Sequence, residues 1–450
     1  MIYCITCIGE RMNILIAILL IISLFFSPLL ESIQILQMYY DIENVKFISQ
    51  LPYVVKEPGT YILNLVEVDP NNQTIIIDSD NVTLDGKELF IPRPPLPPIL
   101  SCGIVVENRN NVVIKNVRVS KCFRGIIVKN VNNLVIENVE LSNIYEYGIR
   151  LERVRNAKLS NIVIKSSFNG LLIRRSRDVV VRDALISSNG VSSGGKSAGL
   201  GISVSYSSNV LIEYTNITNN ADGISVSDSI NVLIKDSIIV NKYREFIIHG
   251  SRQVITYYSE IKTLYPDPQE TQVLVQDSYY VSFFLNIIDE STSAEIIDSS
   301  RSAFYSIDPV VYLYEGKEYV GHLGNYYPEW LKNQSAGGGR VRPPPVMYGY
   351  DIDLVGSKKS MELFGKEGVM GIIFNNSKGI VDLYPLAYEP SRYILSRVPL
   401  PPQNLTVENR HTYVYLTWSP PEGIDVVEYE IYRKEEPDSE FKYLGSTNKT

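Results

Sequence analysis

The 450-residue chain has little of what builds metal or redox centres: three histidines, four cysteines, six methionines and two tryptophans. His249, His322 and His411 lie far apart, so the clustered imidazole or thiolate ligands of such a centre are missing. Neither a metal nor a cofactor is expected. Cys4 and Cys7 form a CxxC, but with no second ligand pair and upstream of an apolar run. Positive charge is also short. Forty-two Lys and Arg face fifty Asp and Glu, giving net −8, which excludes a generic nucleic-acid binder.

What is present is a period. Gly103, Gly125, Gly148, Gly170, Gly201 and Gly223 recur at about 22 residues, with one longer step before Gly201. Asn111, Asn133, Asn156, Asp178, Asn209 and Asn231 keep the same register. So do paired apolar positions, Ile104 and Val106, Val112 and Ile114, Val117 and Val119 in the first repeat; only Thr215 and Ser237 interrupt the pattern across six repeats. Apolar spacing of two means strand, and three short strands per repeat mean a coil stacked on like coils. The fold expected is all-β, a parallel β-helix. The asparagines are expected at a turn, bonding coil to coil, and the glycines where a turn needs positive φ.

Four regions follow. Residues 1–33 hold Arg11 and the run Ile14 to Phe26, a signal peptide or membrane anchor. Residues 34–72 are expected to cap the helix, and 73–398 to form it, with irregular coils after Tyr243. Two inserts interrupt it, one Pro-rich around Pro92 to Pro98, one Gly- and Ser-rich around Gly190 to Gly199. Residues 399–450 carry alternating stretches around Leu405, Tyr413 to Trp418 and Tyr429 to Tyr432. These resemble an incomplete fibronectin type III module, with Trp418 in the place of its core tryptophan.

Candidate sites are few. Between Arg150 and Arg182 nine basic residues meet only Glu152 and Asp178. Arg150, Arg153, Arg155, Arg174, Arg175 and Arg177 form the candidate ligand patch. Coil register sets Arg153 beside Arg175 and Arg155 beside Arg177, a surface for sulfated or uronic polysaccharide or an acidic neighbour, against the alternative of a solvated, neutralised face. Asp222, in NADG, and His249 are weak catalytic candidates; the paired aspartates of a polysaccharide hydrolase are missing one turn later. Cys102 and Cys122 open and close one coil and could form a disulfide. Seven sequons, at Asn72, Asn81, Asn216, Asn333, Asn375, Asn404 and Asn448, are glycosylation candidates on an exported chain.

Three stretches together resemble the NosD-like right-handed β-helix proteins. They are EPGTYILNL (57–65) with NVTLDG (81–86), the run of coils, and VYLYEGKEYVGHLGNYYPEW (311–330) with VDLYPL (381–386). The acidic loop usual between the last two motifs is replaced by Gly337 to Pro345, so a cation held there is not expected. The family's copper association is not carried over, because the donors are scarce. The resemblance implies a secreted or cell-surface protein. Two functions stay open: a non-catalytic scaffold for glycan binding, attachment or envelope structure, and a polysaccharide hydrolase or lyase. Membrane contact is expected only through the N-terminal segment or an anchor beyond Thr450.

Overall fold

The computed structural model describes residues 45–328 apart from 70–71, 87–89, 92–101, 194–195, 267–270, 290–291 and 309. Beyond these it describes 372–373, 381–382, 386, 388–397, 403–410, 413–419, 429–433 and 442–447. The N-terminal apolar run and the Pro-rich insert lie outside the described residues, as do the sequons Asn333, Asn375 and Asn448.

The 22-residue period becomes a parallel β-helix. An eleven-stranded sheet takes one strand from each coil, and a seventeen-stranded sheet wraps the rest. Register follows the sequence repeat: Ile104, Ile126, Ile149, Leu171, Ile202 and Ile224 pair in succession and form one buried column. Inward apolar side chains of each coil thus rest on those of the next, and the core runs the length of the stack. Parallel strands also begin earlier than residue 73. Val45–Leu51 pairs with Gly59–Val68, and Tyr53–Val55 with Gln73–Ile77, so the segment expected as a cap already supplies coil strands.

Asparagine, not glycine, makes the corners. Asn111, Asn133, Asn156, Asp178, Asn209 and Asn231 all take φ between 53° and 58°. Their amides bond between coils, Asn133 to Asn111 at 2.8 Å and Asn156 to Asn133 at 2.7 Å. A second corner repeats the device with Asn116, Asn138 and Asn161. Asparagine tolerates the left-handed region and its amide both donates and accepts, so one residue type serves both needs. Of the six repeat glycines only Gly103 has positive φ. The others are required by close approach: a Cβ on Gly125 would sit 2.1 Å from the Gly148 carbonyl oxygen, and one on Gly170 2.3 Å from that of Gly201.

The two interruptions of the apolar pattern start an internal polar ladder. The Thr215 amide donates to Ser237 Oγ, Ser237 N to Ser259 Oγ, Ser259 N to Asn286 Oδ1, and Asn286 N to Asn325 Oδ1. The ladder ends on buried Asp382, whose Oδ2 accepts from Asn325 N at 2.7 Å and from the Tyr327 hydroxyl at 3.1 Å. The GNYY and DLYPL motifs therefore meet across 57 residues to close the stack. Strand Val310–Tyr314, expected in an irregular coil, instead pairs antiparallel with Lys317–Gly321 and Tyr393–Arg397. This small sheet packs outside the last coils, on Ile255, Tyr257, Phe284 and Leu285. The Gly/Ser insert forms an antiparallel hairpin, Val191–Ser193 with Lys196–Ala198. At the C-terminus Gln403–Arg410 pairs with Tyr413–Ser419, and Tyr429–Arg433 with Lys442–Thr447.

Candidate functional site

The basic strip grows from the corner that follows strands Tyr147–Glu152 and Asn169–Arg174. Arg153 and Arg175 are the corner residues, both at positive φ, and the Arg153 amide bonds Arg174 O. Arg155 pairs in register with Arg177 on the next coil. Arg153, Arg155 and Arg175 are exposed, and Arg177 partly so. Strand spacing sets the coils about 4.8 Å apart. Two guanidiniums held at that spacing would repel by about 1 kcal/mol in water.

Counter-charges reach only part of the strip. Arg177 meets its neighbour Asp178 at 3.3 Å, and Arg150 meets Glu146 at 3.6 Å and Glu152 at 2.8 Å. Glu152 is buried beneath the strip; burial pushes its carboxyl up, but Arg150, Arg174 and Arg153 outweigh it and hold it below the usual range. Lys165 and Arg182 are bound to Glu140 and Glu213. Arg153, Arg155 and Arg175 make no ion pair among the described residues. The Arg175 guanidinium lies over the exposed Tyr206 ring, 5.9 Å from its centre.

The two catalytic candidates do not meet. Asp222 starts its strand, paired in register with Arg244 and bound to that guanidinium at 3.2 Å. His249 ends the neighbouring strand, in register with Ser227, and faces Asp277 at 3.3 Å. Sequence reasoning missed a closer pair. Glu213 is held below its usual range by Lys235 and Arg182 despite burial, whereas burial raises neighbouring Asp236. Carboxyls that titrate apart are the ingredients of acid–base chemistry. Here Glu213 lies under its two cations with 3% of its side chain exposed, so the pair does not open onto a common space.

The described side chains gather no set of copper donors. His322 Nδ1 is 2.7 Å from the Ser306 carbonyl oxygen, His249 faces Asp277, and no three His, Cys, Asp or Glu gather among the described residues. His411 and all six Met side chains lie outside them. Cys122 is buried and disulfide-bonded; the side chain of Cys102 is not among those described. Of the sequons, exposed Asn81 lies within the first amide ladder, Asn72 accepts from the Thr74 amide, and Asn216 is exposed at a strand start. Asn404 lies on a described strand, its side chain outside the description.

A groove of about 590 Å³ runs along the second corner, lined by Asn116, Asn138, Asn161, Asp183, Tyr214 and Asn216 among others. Nothing in the repeat marks it, since its asparagines serve as ladder residues.

Comparison with known proteins bears on the fold. Residues 102–261 match the right-handed β-helix region family, and residues 195–330 match the periplasmic copper-binding protein NosD family. No curated protein sequence matches. Among solved structures, the periplasmic alginate epimerase AlgG is 11% identical with a TM-score of 0.38, over 54% of this chain and 65% of its own, just under two thirds. The surface adhesin PfbA of Streptococcus pneumoniae is 10% identical with a TM-score of 0.37, over 62% and 89%. A lacto-N-biosidase from Eubacterium ramulus is 10% identical with a TM-score of 0.42, over 60% and 58%. Both family matches fall on the coils between residues 102 and 330, where the chain is similar to right-handed β-helix repeat proteins, with a likeness to NosD in the later coils.

Proposed function

We propose that this is an exported, non-catalytic β-helix scaffold that binds acidic polysaccharide along its basic strip, at the cell surface or in the envelope. The observation that carries this reading is the grid of Arg153, Arg155, Arg175 and Arg177. Two coils present guanidiniums in register, and three of the four make no ion pair among the described residues. A net −8 protein that concentrates like charge in this way gains from an anionic ligand that offsets the repulsion. Repetition at the coil spacing suits a linear polymer laid along the stack. The apolar run at residues 14–26 supports export, and the strand pairs at 403–447 support a fibronectin-like module that presents the scaffold. The ion pair of Asp222 with Arg244 speaks against its use as a hydrolytic acid.

Binding of heparin and of polygalacturonate to the full chain, measured across a salt series, tests this. Binding should weaken steeply with salt and be lost when Arg153→Glu and Arg175→Glu are combined. Unchanged binding in that double variant, or none at low salt, would refute the reading.

A further inference from the structure

Four tyrosines stand where the corner pattern calls for asparagine or another small polar residue: Tyr206, Tyr214, Tyr258 and Tyr280, with φ of 51°, 50°, 51° and 58°. A bulky side chain in the left-handed region is an outlier that needs a reason. At two of the four the reason is visible. The Tyr258 hydroxyl donates to the Tyr393 carbonyl and accepts from the Leu395 amide at 3.0 Å, which docks the outer sheet. The Tyr280 hydroxyl donates to Asp308. At these corners, tyrosine in place of asparagine joins another segment to the stack.

Tyr214 shows the same replacement with its ring half exposed, at 53%. Lys235 lies over the ring, 5.8 Å from its centre, and the ring lines the groove along the second corner. The groove's other walls are suited to hydroxyl groups. Asn138 donates to Asn116, and Asn161 to Asn138 at 2.9 Å, each using one amide hydrogen. Each amide keeps a second hydrogen. Asp183, 22 residues after Asn161 and likewise at positive φ, holds the corner position on the next coil and also lines the groove. Exposed Leu185 adds an apolar contact. The groove's cation is already matched: Arg118 meets Glu140 at 3.4 Å, and Lys165 meets the same carboxylate at 2.7 Å, while Asp183 adds a negative charge to the lining.

We infer that this groove is a second binding site, for an uncharged linear polysaccharide that stacks a sugar ring on Tyr214 and hydrogen-bonds its hydroxyls to the Asn116, Asn138 and Asn161 amides. Aromatic stacking and an amide row at coil pitch recognise sugar faces and edges, and the internal pairing of charge leaves little to attract an anion. The site is separate from the basic strip and does not depend on it.

The test is affinity electrophoresis of the full chain through gels containing dextran, xylan or β-glucan, with Tyr214→Asn as the decisive variant. Asparagine suits that backbone, and its amide can donate to Asp183 as Asn209 donates to Asp178 at 2.7 Å. The variant should therefore unfold at higher urea than the parent, which separates lost binding from lost folding. Retention by at least one of these polysaccharides should survive high salt, unlike sulfated-glycan binding to the strip. It should weaken about tenfold in Tyr214→Asn, the size of one aromatic contact. Substitution of exposed Tyr265 by Ala should leave it unchanged. Parent-like retention in Tyr214→Asn, or no retention by any of the three polymers, would overturn the proposal.

Discussion

Glu245 offers the sharpest test of how the stack is held together. It is fully buried, and Asn241 donates to it twice, from the backbone N at 3.2 Å and from Nδ2 at 2.9 Å. It ends a third ladder, in which Asn189 N donates to Asn220 and Asn220 N to Asn241. Burial pushes its carboxyl up to about 8 from 4.5; the Asn241 bonds and Thr263 oppose this, and nearby Asp222 adds to it. Below pH 4.5 both folded and unfolded chains carry the proton. Between pH 4.5 and 8 only the folded chain keeps it, so unfolding releases a proton and stability falls by about 1.4 kcal/mol per pH unit. Above pH 8 both states are ionised and the full loss, roughly 4–5 kcal/mol, is reached. Glu245→Gln keeps the shape and an acceptor for Asn241 but removes the titration. Its urea unfolding, followed by circular dichroism, should match the parent near pH 5 and exceed it by several kcal/mol near pH 8. Parallel pH dependence in the two proteins would refute the account, since it requires a proton held by Glu245 in the fold.

Gly125→Ala should destabilise by roughly 2–4 kcal/mol, because the added carbon meets the Gly148 carbonyl and parallel strands cannot part locally. Gly321→Ala, with open space around it, should cost far less on the same urea curve. Peptide mapping without reductant should recover Cys102 joined to Cys122, since Cys102 lies two residues before Ile104, which pairs with Ile126; a different partner for Cys122 would disprove that pairing. Expression in a host that glycosylates Asn216 should block retention by neutral polysaccharide, because that side chain lines the groove, and Thr218→Ala should restore it. Retention by fully glycosylated protein would place the ligand elsewhere.

The repeat was legible because its causes are local and periodic. A parallel coil pairs each residue with its counterpart about 22 positions on, so inward columns, corner asparagines and the Arg155–Arg177 neighbourhood all follow from counting. The same counting misread the glycines, since a stretch of sequence does not say whether glycine is needed for its φ or for a neighbour's approach. It was also silent wherever partners are not one coil apart. Asn325 and Asp382 meet across 57 residues, Val310–Tyr314 leaves the coil for an antiparallel sheet, and Tyr258 reaches strand Tyr393–Arg397. The groove beside Tyr214 and the raised carboxyl of Glu245 depend on burial and on the shape of stacked coils. The sequence alone determined the fold and its register, because apolar periodicity acts at every coil. Tertiary structure decided which polar groups were buried, paired or open, because desolvation and contact are properties of packed neighbours rather than of spacing.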